Sequence, residues 1–328
     1  MAKSPTVKGM VLAAGLGTRL RPITDEYPKP LVPIFGVNPL GLAIEQLRSA
    51  GIEQIAVNTH YQGEKIARYL GRFTKSSIKI SHEPTILGTG GAYNPLREWL
   101  DDSHLAVING DIVSTIDVAK IVNSHLKSGV LATMVLLPDV IPGESGVSHQ
   151  NGRITGIGKY GKKSLKEGNF ACMQVLSPRF FEYLPTEGVF DIISTAYNRL
   201  LQEGLPIGTV EFSGMWHDIR SPKYYFAALT DMAARWASDE LNKTRVEIER
   251  GHPLVSLGDT SGCPRFIAHG ALVNEKVSFG KNVFIESGSV IEADVRIENS
   301  LVLEGAIIKK GSLVKDKILG KSFSIDLA

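Results

Sequence analysis

Within GMVLAAGLGTRLRPITDEYPKPLVPI, residues 9–34, two glycines, an arginine and a lysine are spaced as a loop that holds anions would space them. Gly15 and Gly17 carry no Cβ, so backbone N–H groups there can approach a phosphate closely. Arg19 adds a planar fork of donors and Lys29 a compact point charge. Pro22, Pro28, Pro30 and Pro33 stiffen the path, so Lys29 is held on its long loop rather than swinging freely. The chemistry this implies is polyphosphate binding. The segment lacks the GKS or GKT ending of a Walker loop, and Leu20 stands where the third glycine of a dinucleotide fingerprint would be.

Such a loop has to be carried by a strand, and the chain supplies several. GMVLAA, IEQIAVNTH, SSIKISHE, HLAVINGD and VLATMVLLP read as strands, whereas NPLGLAIEQLRSAG and YQGEKIARYLGRF have the apolar spacing of helices. Strands separated by helices predict an α/β, Rossmann-like, mostly parallel sheet with helices on both faces. Ligands of such sheets sit beyond the carboxyl ends of the strands, which is where AAGLGTRL and NGD fall. The character changes near Arg250. From Ile267 the chain can be cut every six residues as IAHGAL VNEKVS FGKNVF IESGSV IEADVR IENSLV LEGAII KKGSLV. Position one carries Ile267, Val273, Phe279, Ile285, Ile291, Ile297 and Leu303; position five carries Ala271, Val277, Val283, Ser289, Val295, Leu301, Ile307 and Leu313. This predicts a short left-handed parallel β-helix of hexapeptide repeats, with both positions pointing inward and Lys309 breaking position one in a terminal coil. The expected domains are 1–245 and 246–328.

The 328 residues, 43% of them hydrophobic, suffice for two cores. With 36 basic and 34 acidic side chains the formal net charge is +2, so no strong field attracts nucleic acid or an anionic membrane. Cys172 and Cys263 are the only cysteines, which excludes a disulfide framework and a CxxC zinc site and fits a reducing compartment. The apolar run near the N-terminus is shorter than a signal-peptide core, and no run approaches the about 18 apolar residues of a membrane span. The expected location is the cytoplasm.

Joined to RPITDEYPKPLVPI, the GxGTRL loop resembles the signature of the sugar-1-phosphate nucleotidyltransferases, and the resemblance covers nearly the whole chain. EPTILGTGGA looks like that family's base-binding loop, INGDI like its metal-binding turn, ESGV like its sugar-contacting glycine turn, and WHDIRSPKYY like its second metal-binding aspartate motif. The resemblance implies that a sugar 1-phosphate oxygen attacks the α-phosphorus of an NTP in line and pyrophosphate leaves. Charge has to be neutralised on both sides of that phosphorus, with little proton transfer, because the attacking phosphate is already an anion. Carried over residue by residue, Arg19, Lys29 and Asp111 are the catalytic groups, the first two on the β- and γ-phosphates. Asp111 and Asp218 would hold Mg²⁺, a hard ion that takes a few carboxylates with phosphate oxygens and water. Ala14, Gly15, Gly17, Thr18, Glu83, Gly88 and Thr89 would bind the nucleotide; Asn109, Gly146 and Asn169 the sugar phosphate.

Two positions depart from the family. Gly158 stands where a glutamate of an EKP motif is usual, and Phe170 where the asparagine of an NAG motif is usual. The TGG loop and Phe170 look like enzymes that uridylylate N-acetylmuramate 1-phosphate, whereas the appended β-helix looks like mannose-1-phosphate guanylyltransferases. Glu83 occupies a place where uridylyltransferases often carry a base-reading glutamine. A carboxylate offers only acceptors and guanine presents two adjacent donors, which tilts the expectation toward GTP over UTP. A catalytically silent scaffolding homologue would have lost Arg19, Lys29 or Asp111, and all three are present. An acyltransferase site on the β-helix would need more coils, and His269 in the first unit reads as a loop residue. The β-helix is expected to serve assembly into a homo-oligomer.

Overall fold

β1 (Val7–Leu12) is an apolar run buried along its centre, the mark of a strand with neighbours on both edges and cover on both faces. The computed structural model describes residues 5–73, 77–163, 166–237, 256–257 and 265–327. The expected boundary at 245/246 and Cys263 lie outside the described residues. Chain contacts divide the protein into two compact units, Met1–Leu16 with Ala43–Trp216, and Gly17–Leu42 with His217–Ala328.

The first unit is the α/β core. After β1 come β2 (Gln54–Thr59), β3 (Ser77–His82), β4 (His104–Asn109), the short β5 (Ile112–Ser114), β6 (Ala132–Leu137), β7 (Val147–Gln150), β8 (Arg153–Ile157), β9 (Tyr160–Gly161), β10 (Lys166–Leu176) and β11 (Ile207–Glu211). The main sheet has the order β3-β2-β1-β4-β10-β6-β11-β8-β7. β1 to β4 are parallel neighbours, so their carboxyl ends share one edge. The long β10 then enters antiparallel to both β4 and β6. Its register shifts between Phe170 and Gln174, where Cys172 adopts a left-handed φ of 57°. That is a β-bulge, which bends the strand and re-aims the side chains before it. Met10, Tyr93, Leu105, Val107, Met134, Leu136, Phe180 and Tyr197 share the buried core.

In the second unit the C-terminal strands stack in parallel on three faces. On the first, Arg265 pairs with Val283, a step of 18 residues, and Val283 with Ser300, a step of 17. The other faces repeat this: Leu272 to Val290 to Ile307, and Ser278 to Arg296 to Leu313. This is a β-helix, but its coil shortens by one residue after the first turn. The strict six-residue frame is therefore corrected beyond Ile297. The next inward residues are Val302, Ala306, Ile308 and Val314, which join Val283, Ile285, Ile291, Val295 and Ile297 in one core. Ile307 and Leu313, expected inside, are 56% and 67% exposed. Lys309 breaks no inward position, because Ile308 fills it. The corner at which the residue is lost is closed by Asn299, with φ 47°, whose side chain links Asn282 above and Asp316 below at 3.2 and 2.5 Å. Asparagine tolerates the left-handed region, which lets the tighter corner stack. Among the described residues no helix is long and apolar enough to cross a membrane.

The shifted frame separates two adjacent residues. Ile307→Lys should change stability by no more than about 0.5 kcal/mol, as at an ordinary surface position. Ile308→Lys, placing a charge among the coils, should cost about 3 kcal/mol or more. Denaturant midpoints of the two variants decide it, and equal losses would contradict the register.

Candidate functional site

In the first unit the sequence-predicted residues collect where the parallel strands end. Ala13 to Gly15 follow β1, Asn58 and Thr59 end β2, Glu83 follows β3, and Asn109 ends β4 with Gly110 and Asp111 after it. Neighbouring strands fix these loops side by side, at the edge where α/β sheets bind ligands. Gly110 is needed for that closeness: its N–H donates to Leu12 O at 2.8 Å, and a Cβ would lie 3.0 Å from the same oxygen. Asn109 and Asp111 are both partly exposed at this edge.

Buried side chains lock the edge. Asn58, 4% exposed, accepts from the Ala13 N–H at 2.7 Å and donates to Glu83 Oε1 at 2.8 Å. The other Glu83 oxygen accepts from the Leu87 N–H at 2.9 Å, and Glu83 itself is 1% exposed. Glu83 thus ties the loop after β3 to the loop after β1 through Asn58. Each carboxylate oxygen meets an internal donor, so the visible role of Glu83 is to hold these loops together. Asn58 was not foreseen; the available signal was an amide at the end of the apolar run IAVN.

Gly88 sits at φ 80°, and a Cβ there would fall 2.5 Å from Phe190 O, so only glycine allows this approach. The exposed Thr89 donates its hydroxyl to Asp191 at 2.7 Å and accepts from the Ile192 N–H at 3.1 Å. Ala14 is buried and Gly15 exposed. Gly146 accepts from the Gly158 N–H at 2.8 Å. Asn169, on β10 before the bulge and 6% exposed, donates to Phe170 O at 3.3 Å, while its Oδ1 has no hydrogen-bond partner among the described residues. A buried acceptor left open in this way is costly unless something donates to it.

In the second unit Gly17 has φ 64°, and a Cβ on it would come within 2.9 Å of Thr24 and 3.1 Å of the Lys29 Cβ. Its carbonyl accepts from the Thr24 hydroxyl at 2.9 Å. The glycine turn and the lysine segment therefore lie against each other, which the sequence alone did not show. Thr18 and Arg19 are exposed, and Arg21 pairs with Asp25 at 3.3 Å in an exposed ion pair of little energetic weight. Lys29 is only 9% exposed, within the short helical turn Lys29–Leu31 that Pro28 precedes. Its Nζ stands 3.4 Å from Asp218 Oδ1. Next to Asp218, His217 meets Asp231 at 2.8 Å, fixing the short strand Trp216–Asp218 on the helix Pro222–Ala237. The structure thus joins Lys29 with Asp218 in one unit and the ends of β1 to β4 in the other.

A buried lysine beside a carboxylate, behind a glycine turn, is suited to an anion with several charged oxygens. Comparisons with known proteins agree with that reading. A family model described as Nucleotidyl transferase matches residues 8–235, and one described as GMPPB C-terminal domain matches residues 263–327. A UTP–glucose-1-phosphate uridylyltransferase of Synechocystis is 27% identical over 70% of this chain, which spans 64% of that relative's length. The mannose-1-phosphate guanylyltransferase 1 of Arabidopsis thaliana is 28% identical over 88% of this chain and 79% of its own. The crystal structure of HddC from Yersinia pseudotuberculosis shares the fold, with a TM-score of 0.57 at 24% identity over 69% of this chain and 99% of that one. By its motifs, its fold and these matches, the chain belongs to the sugar-1-phosphate nucleotidyltransferase family.

Proposed function

We propose that the protein transfers a nucleoside monophosphate from an NTP to a sugar 1-phosphate, releasing pyrophosphate. The observation that carries this is Lys29, a cation buried to 9% exposure in a stiff turn and balanced by Asp218. In the reaction an oxygen of the sugar phosphate forms a bond to the α-phosphorus while the bond to the β-phosphate bridging oxygen breaks. Lys29 and Arg19 stabilise the charge that moves onto the leaving pyrophosphate, and the held position of Lys29 means little reorganisation at the moment of transfer. The glycine turn at Gly15 and Gly17 admits the polyphosphate. Asn109 and Gly146 hold the sugar phosphate, and the open Oδ1 of Asn169 accepts from a sugar hydroxyl or amide.

Mg²⁺ would suit carboxylates such as Asp111 of the first unit and Asp218 of the second, hard oxygen ligands for an ion that needs only one or two of them beside phosphate oxygens and water. When bound, it neutralises phosphate charge.

GTP and mannose 1-phosphate are the favoured substrates. The support is that similarity to the guanylyltransferase relative extends over 88% of the chain and that the C-terminal segment matches the GMPPB model. A second reading, a uridylyltransferase acting on N-acetylmuramate 1-phosphate or another hexose 1-phosphate, draws on the Synechocystis relative and on Asn169, whose acceptor suits an acetamido N–H.

Pyrophosphate release measured with four NTPs against a set of hexose 1-phosphates should give one strongly preferred pair, and silence with every pair would sink the assignment. Asp111→Asn should lower turnover with that pair by at least about 100-fold while the protein stays folded. Glu83→Gln replaces one of two internal acceptors by a donor, so it should weaken the loop by about 1 to 3 kcal/mol and lower activity with GTP and UTP by the same factor. A selective loss with GTP would restore Glu83 as a base reader.

A further inference from the structure

The segment that carries Lys29 is joined to the β-helix by contacts that lie inside the second unit. Three residues before Lys29, the Glu26 carboxylate accepts from the Ser322 N–H at 3.1 Å and the Ser322 hydroxyl at 2.7 Å, with the Lys321 N–H at 3.4 Å. Tyr27 reaches Glu304 O at 3.5 Å. After Lys29, Pro33 O accepts from the Tyr225 hydroxyl. Phe35, fully buried with φ 52°, sets its ring 5.0 Å from Phe266 and 5.7 Å from Phe284. These two rings, with Leu301 and Ile318, make one buried row along the outer side of a single β-helix face. Gly36 then donates its N–H to Glu286 Oε2 at 3.2 Å.

We propose that the β-helix is a working part of the transferase site, and that Glu286 is a positioning residue which, through Gly36 and Phe35, sets where Lys29 stands. The role in catalysis rests on the reaction proposed above. The β-helix then does more than offer an assembly surface: its first coils seat the turn after Lys29, and its last coil holds the turn before it. Glu286 is 3% exposed, and a carboxylate there would lie in a place where nothing nearby neutralises it easily. The titratable groups that face it are Glu304 on the next coil, Tyr27 on the lysine segment and Tyr225 on the helix Pro222–Ala237. Burial pushes the Glu286 carboxyl up to about 8, with Glu304 adding to the rise and the backbone N–H groups of Gly36 and Phe35 opposing it. At neutral pH it is mainly a neutral acid, able to accept from Gly36 without carrying charge.

The sign of the pH dependence follows. Between the ordinary value of 4.5 and about 8 the folded chain binds a proton that the unfolded chain has lost, so this group's contribution to stability falls as pH rises through that window and levels off above it. Glutamine copies the neutral acid in shape and keeps the acceptor. The test compares wild type, Glu286→Gln and Glu286→Ala at neutral pH, using kcat, KM and the rate at which acetic anhydride labels Lys29, read by mass spectrometry. Glu286→Ala should lower kcat on the order of 10- to 100-fold with a much smaller change in KM, and should speed Lys29 labelling. Glu286→Gln should keep both near wild type, and should lack the fall in stability expected of wild type between about pH 4.5 and 8 and the fall in kcat expected as pH rises through about 8. Wild-type kcat and labelling in Glu286→Ala would overturn the proposal, as would Glu286→Gln behaving like a disrupted site. If Glu286→Ala does not fold, the pH comparison between wild type and Glu286→Gln decides: matching profiles reject the role. Labelling reads the position of Lys29 without turnover, so an inactive wild type would count against the reaction and leave this placement separately measurable.

Discussion

A lysine that keeps only 9% of its surface cannot be left alone in a folded protein, and much of the second unit can be understood as the answer to that constraint. Removing a cation from water costs several kcal/mol unless an anion stands close and the geometry is held. Asp218 supplies the anion at 3.4 Å, and His217 with Asp231 steadies the strand that bears it. Gly17 supplies the room, because any side chain there would strike Thr24 and the stem of Lys29. Such a pair contributes little net stability, and the charge it fixes is available to a substrate that brings more negative oxygens. The polyphosphate site proposed here would tolerate an imperfect ion pair that a purely structural core would replace with apolar packing.

The first unit meets a related constraint with an amide and a carboxylate. Loops at the ends of parallel strands have backbone donors that the sheet no longer pairs, and these have to be satisfied inside the protein. Asn58 and Glu83 do so for Ala13 and Leu87, joining two loops that are distant in sequence. The outcome is a preformed edge in which positions are set before any ligand arrives, which is how binding groups gain precision from rigid neighbours.

Much of this was legible in the chain. The apolar runs ending in AAG, NTH and NGD placed β1, β2 and β4 and their loops, because parallel strands buried on both faces need continuous hydrophobicity. β10 was not read, since its bulge at Cys172 breaks the alternation that marks a strand, and the antiparallel edge strands are short. The β-helix was recognised but its frame was lost after Ile297. Leu301, Val302 and Leu303 are consecutive and all fully buried, so either frame finds an apolar residue, and only pairing shows that Val302 points inward while Leu301 continues the outer row. The tie between Glu83 and Asn58 was not legible for a similar reason: Asn58 lies on another strand, and spacing along one segment carries no trace of it.

The central claim is that Lys29 is buried for chemistry and not for stability. Its most direct measurement is kcat/KM of Lys29→Met with the preferred substrate pair, taken beside the thermal midpoint of the same variant. Methionine keeps the apolar stem and removes the charge, so the account predicts a folded protein with a midpoint within a few degrees of wild type or above it, and a loss in kcat/KM of about 100-fold or more. Wild-type kcat/KM in a folded Lys29→Met protein would contradict it.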